Sequence, residues 1–131
     1  LKGIELNPIA HEYAVENTQL NKIKNVEMIH GDVRKVVKKL DKFDRIIMPL
    51  PRTAEEFLDS ALEVAKKGTI IHLYDFLHLN EFNLALKKIE NQAKKAGIKY
   101  EILRFINNKL SHNSILIIQN ITHSSYNKTK Q

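Results

Sequence analysis

Four short segments set acidic residues, prolines or a glycine where a β-type run ends: Glu5-Leu6-Asn7-Pro8, Gly31-Asp32-Val33-Arg34, Pro49-Leu50-Pro51-Arg52 and Tyr74-Asp75-Phe76. A carboxylate at a strand end accepts two hydrogen bonds from a ribose diol, and a second, one strand over, accepts from the exocyclic amine of an adenine. A rigid Pro-Leu-Pro turn holds backbone carbonyls at fixed geometry beside a flat base or a methyl donor. Each segment also has a plainer role. Glu5 suits the positive end of the following helix, Asp32 after glycine is an ordinary N-cap, and the prolines terminate a strand. Two prolines flanking a leucine exceed what termination requires, and the recurrence of such segments at matched strand ends favours a ligand site.

The elements that position these segments follow from periodicity. Leu1 to Leu6 reads as a strand, and Asn7-Pro8 opens a helix with Ala10, Tyr13, Ala14, Asn17 and Leu20 on one side, fading at Asn21. Val26 to His30 is a second strand, followed by a short basic helix over Val33 to Leu40 with Val33, Val36, Val37 and Leu40 as its apolar stripe. Phe43 to Met48 is a third strand, stopped by Pro49. Thr53 is a good N-cap with Glu55 and Glu56 in the first turn, and that helix is expected to run through Phe57, Leu58, Ala61, Leu62 and Ala65 and end at Lys66-Lys67-Gly68. A fourth strand spans Thr69 to Phe76, and Asn80 caps a long helix closing at Lys94-Lys95-Ala96-Gly97. Two strands, about Tyr100–Ile106 and Ser114–Ile121, are too closely spaced for a helical crossover and form an antiparallel hairpin. The alternation of strands and helices implies an α/β fold with a mostly parallel sheet.

Composition narrows the classes. The chain has 131 residues, 43% hydrophobic, with 21 Lys+Arg against 15 Asp+Glu and no cysteine. That supports one domain with a real core and excludes disulfide scaffolds, zinc-thiolate sites and cysteine nucleophiles. No apolar run approaches a membrane span and no signal-peptide pattern opens the chain, so a soluble intracellular protein is the default. Residues 1–60 hold ten basic and ten acidic side chains, so the whole net charge of +6 falls in residues 61–131. An uneven basic surface is compatible with a polyanionic partner, or with a merely lysine-rich solvated face. Six histidines show no metal-ligand spacing such as HExxH, and neither GxSxG nor a Walker glycine loop occurs.

Five segments taken in order carry a resemblance: Gly3-Ile4-Glu5-Leu6-Asn7-Pro8; Glu16-Asn17 with Leu20-Asn21-Lys22; His30-Gly31-Asp32-Val33-Arg34; Asp44-Arg45-Ile46-Ile47-Met48-Pro49-Leu50-Pro51; and Ile71-His72-Leu73-Tyr74-Asp75-Phe76. The set resembles the archaeal and eukaryotic tRNA position-37 guanine-N1 methyltransferases and the related wyosine-pathway transferases, over about residues 1–100. The resemblance implies a Rossmann-like class I fold that uses S-adenosylmethionine. It implies that Glu5, grouped with Asn7, binds the cofactor ribose, and that Asp32 with Val33 contacts adenine. It also implies that Pro49-Leu50-Pro51 is the catalytic target-base motif, with Pro49 beside the methionine end of the cofactor. Most relatives write that motif Asn-Leu-Pro and place Asp where Glu5 stands. Both departures resemble an archaeal subgroup in which some members also methylate the tricyclic wyosine precursor.

Arg34 and Arg52, with Lys35, border the expected pocket and are candidates to meet tRNA phosphates. The implied setting is a cytoplasmic, metal-free monomer that acts on tRNA. In the implied fold Leu1 begins the second strand, so the first strand, its glycine-rich loop and the general base are expected upstream of this chain. The expected divisions are a partial catalytic domain over 1–121 and a polar tail over 122–131. Three other readings compete: a nicotinamide-dependent Rossmann domain, a class I methyltransferase for ribosomal RNA or a small molecule, and a non-catalytic RNA-binding module. The terminal hairpin and the Pro-Leu-Pro turn argue against the first.

Overall fold

The computed structural model describes residues 1–49, 57–76, 82–108 and 113–120. The chain divides into two compact units, Leu1–Asp41 and Lys42–Gln131.

In the first unit, β1 (Lys2–Glu5) and β2 (Glu27–His30) pair in parallel, with Glu5 opposite His30 at their C-terminal ends. Between them runs α1 (Pro8–Leu20). Its start is local chemistry: the Asn7 side-chain oxygen accepts from the Ile9 and Ala10 amides at 2.9 and 3.3 Å, and Pro8 fills a position whose N–H the helix has no use for. Its end is a Schellman closure, in which the Ile23 amide donates to Thr18 O and the Lys22 amide to Gln19 O. That closure puts Lys22 at φ +53°, a conformation a side chain bears at a cost.

The packed side of α1 is not the side the spacing suggests. His11, Ala14, Val15 and Thr18 are half-buried, whereas Tyr13 and Leu20 are 63% and 70% exposed. The short basic helix is also tighter than expected: α2 (Val33–Val36) gives way to a 3₁₀ turn over Val37–Lys39. Of the expected stripe, Val37 is buried and Val33, Val36 and Leu40 are half-buried.

In the second unit, β3 (Phe43–Met48), β4 (Ala65–Phe76), β5 (Tyr100–Asn108) and β6 (Asn113–Asn120) form one sheet in the order β3-β4-β6-β5. The β3–β4 pair is parallel, and β6 runs antiparallel to both β4 and β5, so the expected terminal hairpin is present. Two helices complete the unit, α3 (Leu58–Glu63) and α4 (Phe82–Ala96). The strands alternate as the pleat requires, so that Met48, Ile71, Leu73 and Ile118 join Leu58, Ala61, Leu62 and Ile89 of the helices in one core. Phe82 and Phe105 stack at its margin with ring centres 4.4 Å apart. A void of about 10 Å³ among Leu62, Ile89, Ala93 and their neighbours is apolar and no larger than one water, a packing gap and not a ligand cavity.

One boundary differs from the sequence reading. The cation-rich stretch Lys66-Lys67-Gly68 does not end a helix; α3 ends at Glu63, and Ala65–Gly68 already belong to β4. The reason is a side-chain bridge. Thr69, fully buried, donates its hydroxyl to Phe43 O at 2.6 Å and accepts the Lys66 amide at 2.8 Å. Phe43 N donates to Val64 O at 2.8 Å, so Ala65 pairs with Phe43, while Arg45 skips ahead to Ile70. Gly68, at φ +84°, takes up the extra residues where a side chain would be strained. The Asn80 cap and the segment Thr53–Glu56 lie outside the described residues, as does the tail from 121 to 131.

Candidate functional site

Because β1 and β2 are parallel neighbours, their following loops emerge at the same end of the pair. Glu5 is half-buried there, and its Oε1 accepts the Asn7 amide at 2.7 Å. That bond closes the turn into α1 and occupies one carboxylate oxygen. Asn7 itself is exposed, and its side-chain oxygen is spent on capping the helix. Two contacts tie this turn to the next loop: Gly31 N donates to Glu5 O at 2.9 Å, and His30 Nε2 stands 3.1 Å from Leu6 O. A carbonyl only accepts, so His30 carries its proton on Nε2. His11 makes the equivalent contact to Met28 O at 3.3 Å, and the two imidazole rings lie 5.4 Å apart.

Asp32 follows at the end of β2. It caps α2 by accepting the Arg34 amide on Oδ1 at 3.0 Å. The Arg34 guanidinium also grips the carboxylate, Nε to Oδ1 at 3.0 Å and Nη2 to Oδ2 at 2.8 Å. These Arg34 bonds, side chain first and backbone second, hold the Asp32 carboxyl below the usual carboxylate range, against a smaller opposing effect of desolvation. Val33, half-buried, is the first residue of α2, where a helix leaves its amide without an internal partner. Glu5, Asp32 and Val33 therefore border one end of the β1–β2 pair, with two acceptors and one amide donor among them. That donor set fits a nucleoside: hydroxyls and an exocyclic amine need acceptors, and a ring nitrogen needs an N–H.

Pro49 is exposed and ends β3 directly after buried Met48. Leu50, Pro51 and Arg52 lie outside the described residues. At the end of β4, Tyr74 is 36% exposed, and the backbone of Asp75 and Phe76 pairs with Ser114 and Asn113 of β6. On the sheet surface away from the core, Arg45 Nη1 stands 3.2 Å from His72 Nε2 beside exposed Ile47. Among the described residues, no three His, Asp or Glu side chains are grouped as a metal ion would require, and no helix is long and apolar enough to cross a membrane. Sequence reasoning did not find the His30 contact or the Arg34 grip. The spacing of Asp32 and Arg34, two residues apart across a helix start, is the signal that was available for the second.

The fold and these strand-end loops define the chain as a Rossmann-like class I methyltransferase unit. Its model-level match is the TRM5/TYW2 methyltransferase domain over residues 1–103, and the chain belongs to that family. It is 41% identical over 100 residues to the tRNA (guanine(37)-N(1))-methyltransferase Trm5b of Pyrococcus abyssi, covering 76% of this chain and 29% of that protein. The crystal structure of that Trm5b superposes with a TM-score of 0.80 at 36% identity, over 92% of this chain and 37% of the crystallised one. The tRNA (guanine(37)-N(1))/4-demethylwyosine(37)-methyltransferase Taw22 of Nanoarchaeum equitans is 33% identical, over 72% of this chain and 49% of its own length. M. jannaschii TYW2, solved in complex with AdoMet, gives a TM-score of 0.73 at 29% identity, over 91% of this chain and 55% of that one. The chain thus spans between a third and a half, or somewhat more, of the proteins it resembles.

Proposed function

We propose that the protein transfers the methyl group of S-adenosylmethionine to N1 of guanine at position 37 of tRNA. The observation that carries this reading is the pair of carboxylates, Glu5 and Asp32, at neighbouring strand ends within a TRM5/TYW2 methyltransferase domain. Glu5, through the oxygen that Asn7 does not use, accepts from the ribose hydroxyls, while Asn7 holds the turn. Asp32 accepts from the adenine amine, and the Val33 amide donates to the ring. When bound, the cofactor supplies an activated methyl group on a sulfonium, so the protein's task is alignment rather than activation. In balance, the guanine N1 lone pair forms the new bond to carbon, the carbon–sulfur bond breaks toward sulfur, and the N1 proton passes to a general base. No residue described here is assigned as that base. Pro49-Leu50-Pro51, which ends β3, is proposed as the target-base motif, and Arg52 as a phosphate contact. A metal-free monomer in the cytoplasm completes the reading.

Pro49 in place of the commoner Asn, together with the Taw22 relative, favours a second substrate, the wyosine precursor at the same tRNA position. The test is methyl transfer from labelled S-adenosylmethionine to tRNA transcripts carrying guanine or adenine at position 37. Incorporation confined to the guanine transcript is expected; equal incorporation into both refutes the assignment. Binding of tRNA without transfer to either points to an RNA-binding module instead. A Pro49→Asn variant is expected to change the ratio of guanine to wyosine-precursor product, and an unchanged rate and ratio removes the subgroup argument.

A further inference from the structure

The guanidinium of Arg34 lies on the carboxylate that the proposed function assigns to adenine. An ionised carboxylate offers about four lone-pair positions. On Oδ1 two are taken, by the Arg34 amide and Nε, both at 3.0 Å. On Oδ2 one is taken by Nη2 at 2.8 Å, with Nε a longer 3.2 Å neighbour. The carboxylate is thereby fixed in rotation and only one lone pair on Oδ2 stays open. The Asp32 side chain is 20% exposed, so this open position is the part that meets solvent or a ligand.

We infer that Arg34 is a positioning residue for the nucleoside end of the cofactor: it clasps Asp32 so that a single acceptor lone pair faces outward, and the loop thereby selects a 6-aminopurine over a 6-oxopurine. The inference rests on the reading that Asp32 meets the adenine ring. An exocyclic amine donates to that lone pair. A 6-oxo group presents a second acceptor to it and is repelled. The selection holds only while Asp32 is ionised, since a protonated carboxyl is itself a donor and suits the oxo group. Arg34 keeps it ionised, consistent with the lowered range of the Asp32 carboxyl. The other charged or titratable groups around it are Lys35 on the same helix, and Glu5 and His30 at the ends of β1 and β2. None of these makes the forked contact.

The experiment is isothermal titration of the intact protein with S-adenosylhomocysteine and with its inosine counterpart, across a pH series descending from neutral. The wild type is expected to prefer the adenosine compound by roughly tenfold or more, the mark of a site with a committed acceptor. Arg34→Gln is expected to cut that preference roughly threefold to tenfold, a range set by the exposure of the pair, and to start the acid-side loss of binding at a higher pH. Arg34→Lys, which keeps the charge without the fork, should restore the acid limb but only part of the preference. In an Asp32→Asn background, which preserves the helix cap, Arg34→Gln should add no further loss of preference. An Arg34→Gln protein with unchanged preference and unchanged acid limb overturns the role of Arg34 while leaving the cofactor reading intact. Equal weakening for both nucleosides, with no shift of the limb, makes Arg34 merely structural and overturns it too. A wild type that binds neither compound overturns the cofactor reading and this inference together.

Discussion

Thr69→Val removes one hydroxyl and keeps the side chain's shape, so it isolates the bridge that sets the β3–β4 register. In the native protein that hydroxyl donates to Phe43 O and accepts the Lys66 amide, at 2.6 and 2.8 Å, with the residue fully buried. Valine supplies neither bond, and it leaves one carbonyl and one amide without a partner in a partly buried turn. Each orphaned group costs about 1–3 kcal/mol; with water relieving part of the penalty at this turn, the sum is about 2–3 kcal/mol. For a chain of this size that lowers the melting midpoint by roughly 8–12 °C. Thr69→Ser is the control, since it restores both hydrogen bonds and loses only a buried methyl group, at about 1 kcal/mol. Thermal unfolding followed by far-UV circular dichroism on the three proteins measures the order. The expected order is Thr, then Ser, then Val. A valine variant within 2 °C of the wild type, or one more stable than the serine variant, refutes the reasoning; the threshold is roughly half the effect of 1 kcal/mol.

Two other perturbations follow from backbone and burial. Lys22 sits at φ +53° in the closure of α1, so Lys22→Gly is expected to stabilise the protein by about 0.5–1 kcal/mol, read as a higher urea midpoint with an unchanged slope. Gly31→Ala acts in the opposite direction: at φ +151°, with a new Cβ 3.0 Å from Val36 Cγ2, it should destabilise by about 1–3 kcal/mol and weaken S-adenosylhomocysteine binding through the Asp32 loop. Tyr100 gives a pH dependence. Burial, and secondarily Glu90, raise its phenol above the ordinary value of 10.0, while Lys94 opposes them. The folded state therefore disfavours the tyrosinate, so the stability it provides is present below pH 10 and is lost as pH rises through the higher folded value. Tyr100→Phe should flatten that alkaline decline in a denaturation series from pH 8 to 11, and an unaltered decline would show that another group causes it.

Local chemistry made much of this protein legible in its sequence. Asn7 before Pro8, and Asp32 after Gly31, read as helix caps because a short side-chain oxygen there reaches amides only two or three residues away. Pro49 reads as a strand end because it has no N–H to give a ladder. The connection between β5 and β6 is too short for anything but a hairpin, and the sheet contains one. The ordered set of strand-end motifs likewise pointed to the family that the domain match identifies.

Tertiary structure decided what depends on partners far along the chain. Lys66-Lys67-Gly68 has every local mark of a helix end, yet Thr69 bonded to Phe43 O, 26 residues away, draws that stretch into a strand. The half-buried side of α1 is His11, Ala14, Val15 and Thr18, because the placement of the β1–β2 pair, and not the helix's own apolar spacing, selects the face. The sequence names Asp32 and Arg34 as neighbours of a ligand loop. Only the folded geometry turns Arg34 back onto Asp32 and determines which lone pair of that carboxylate remains to be used.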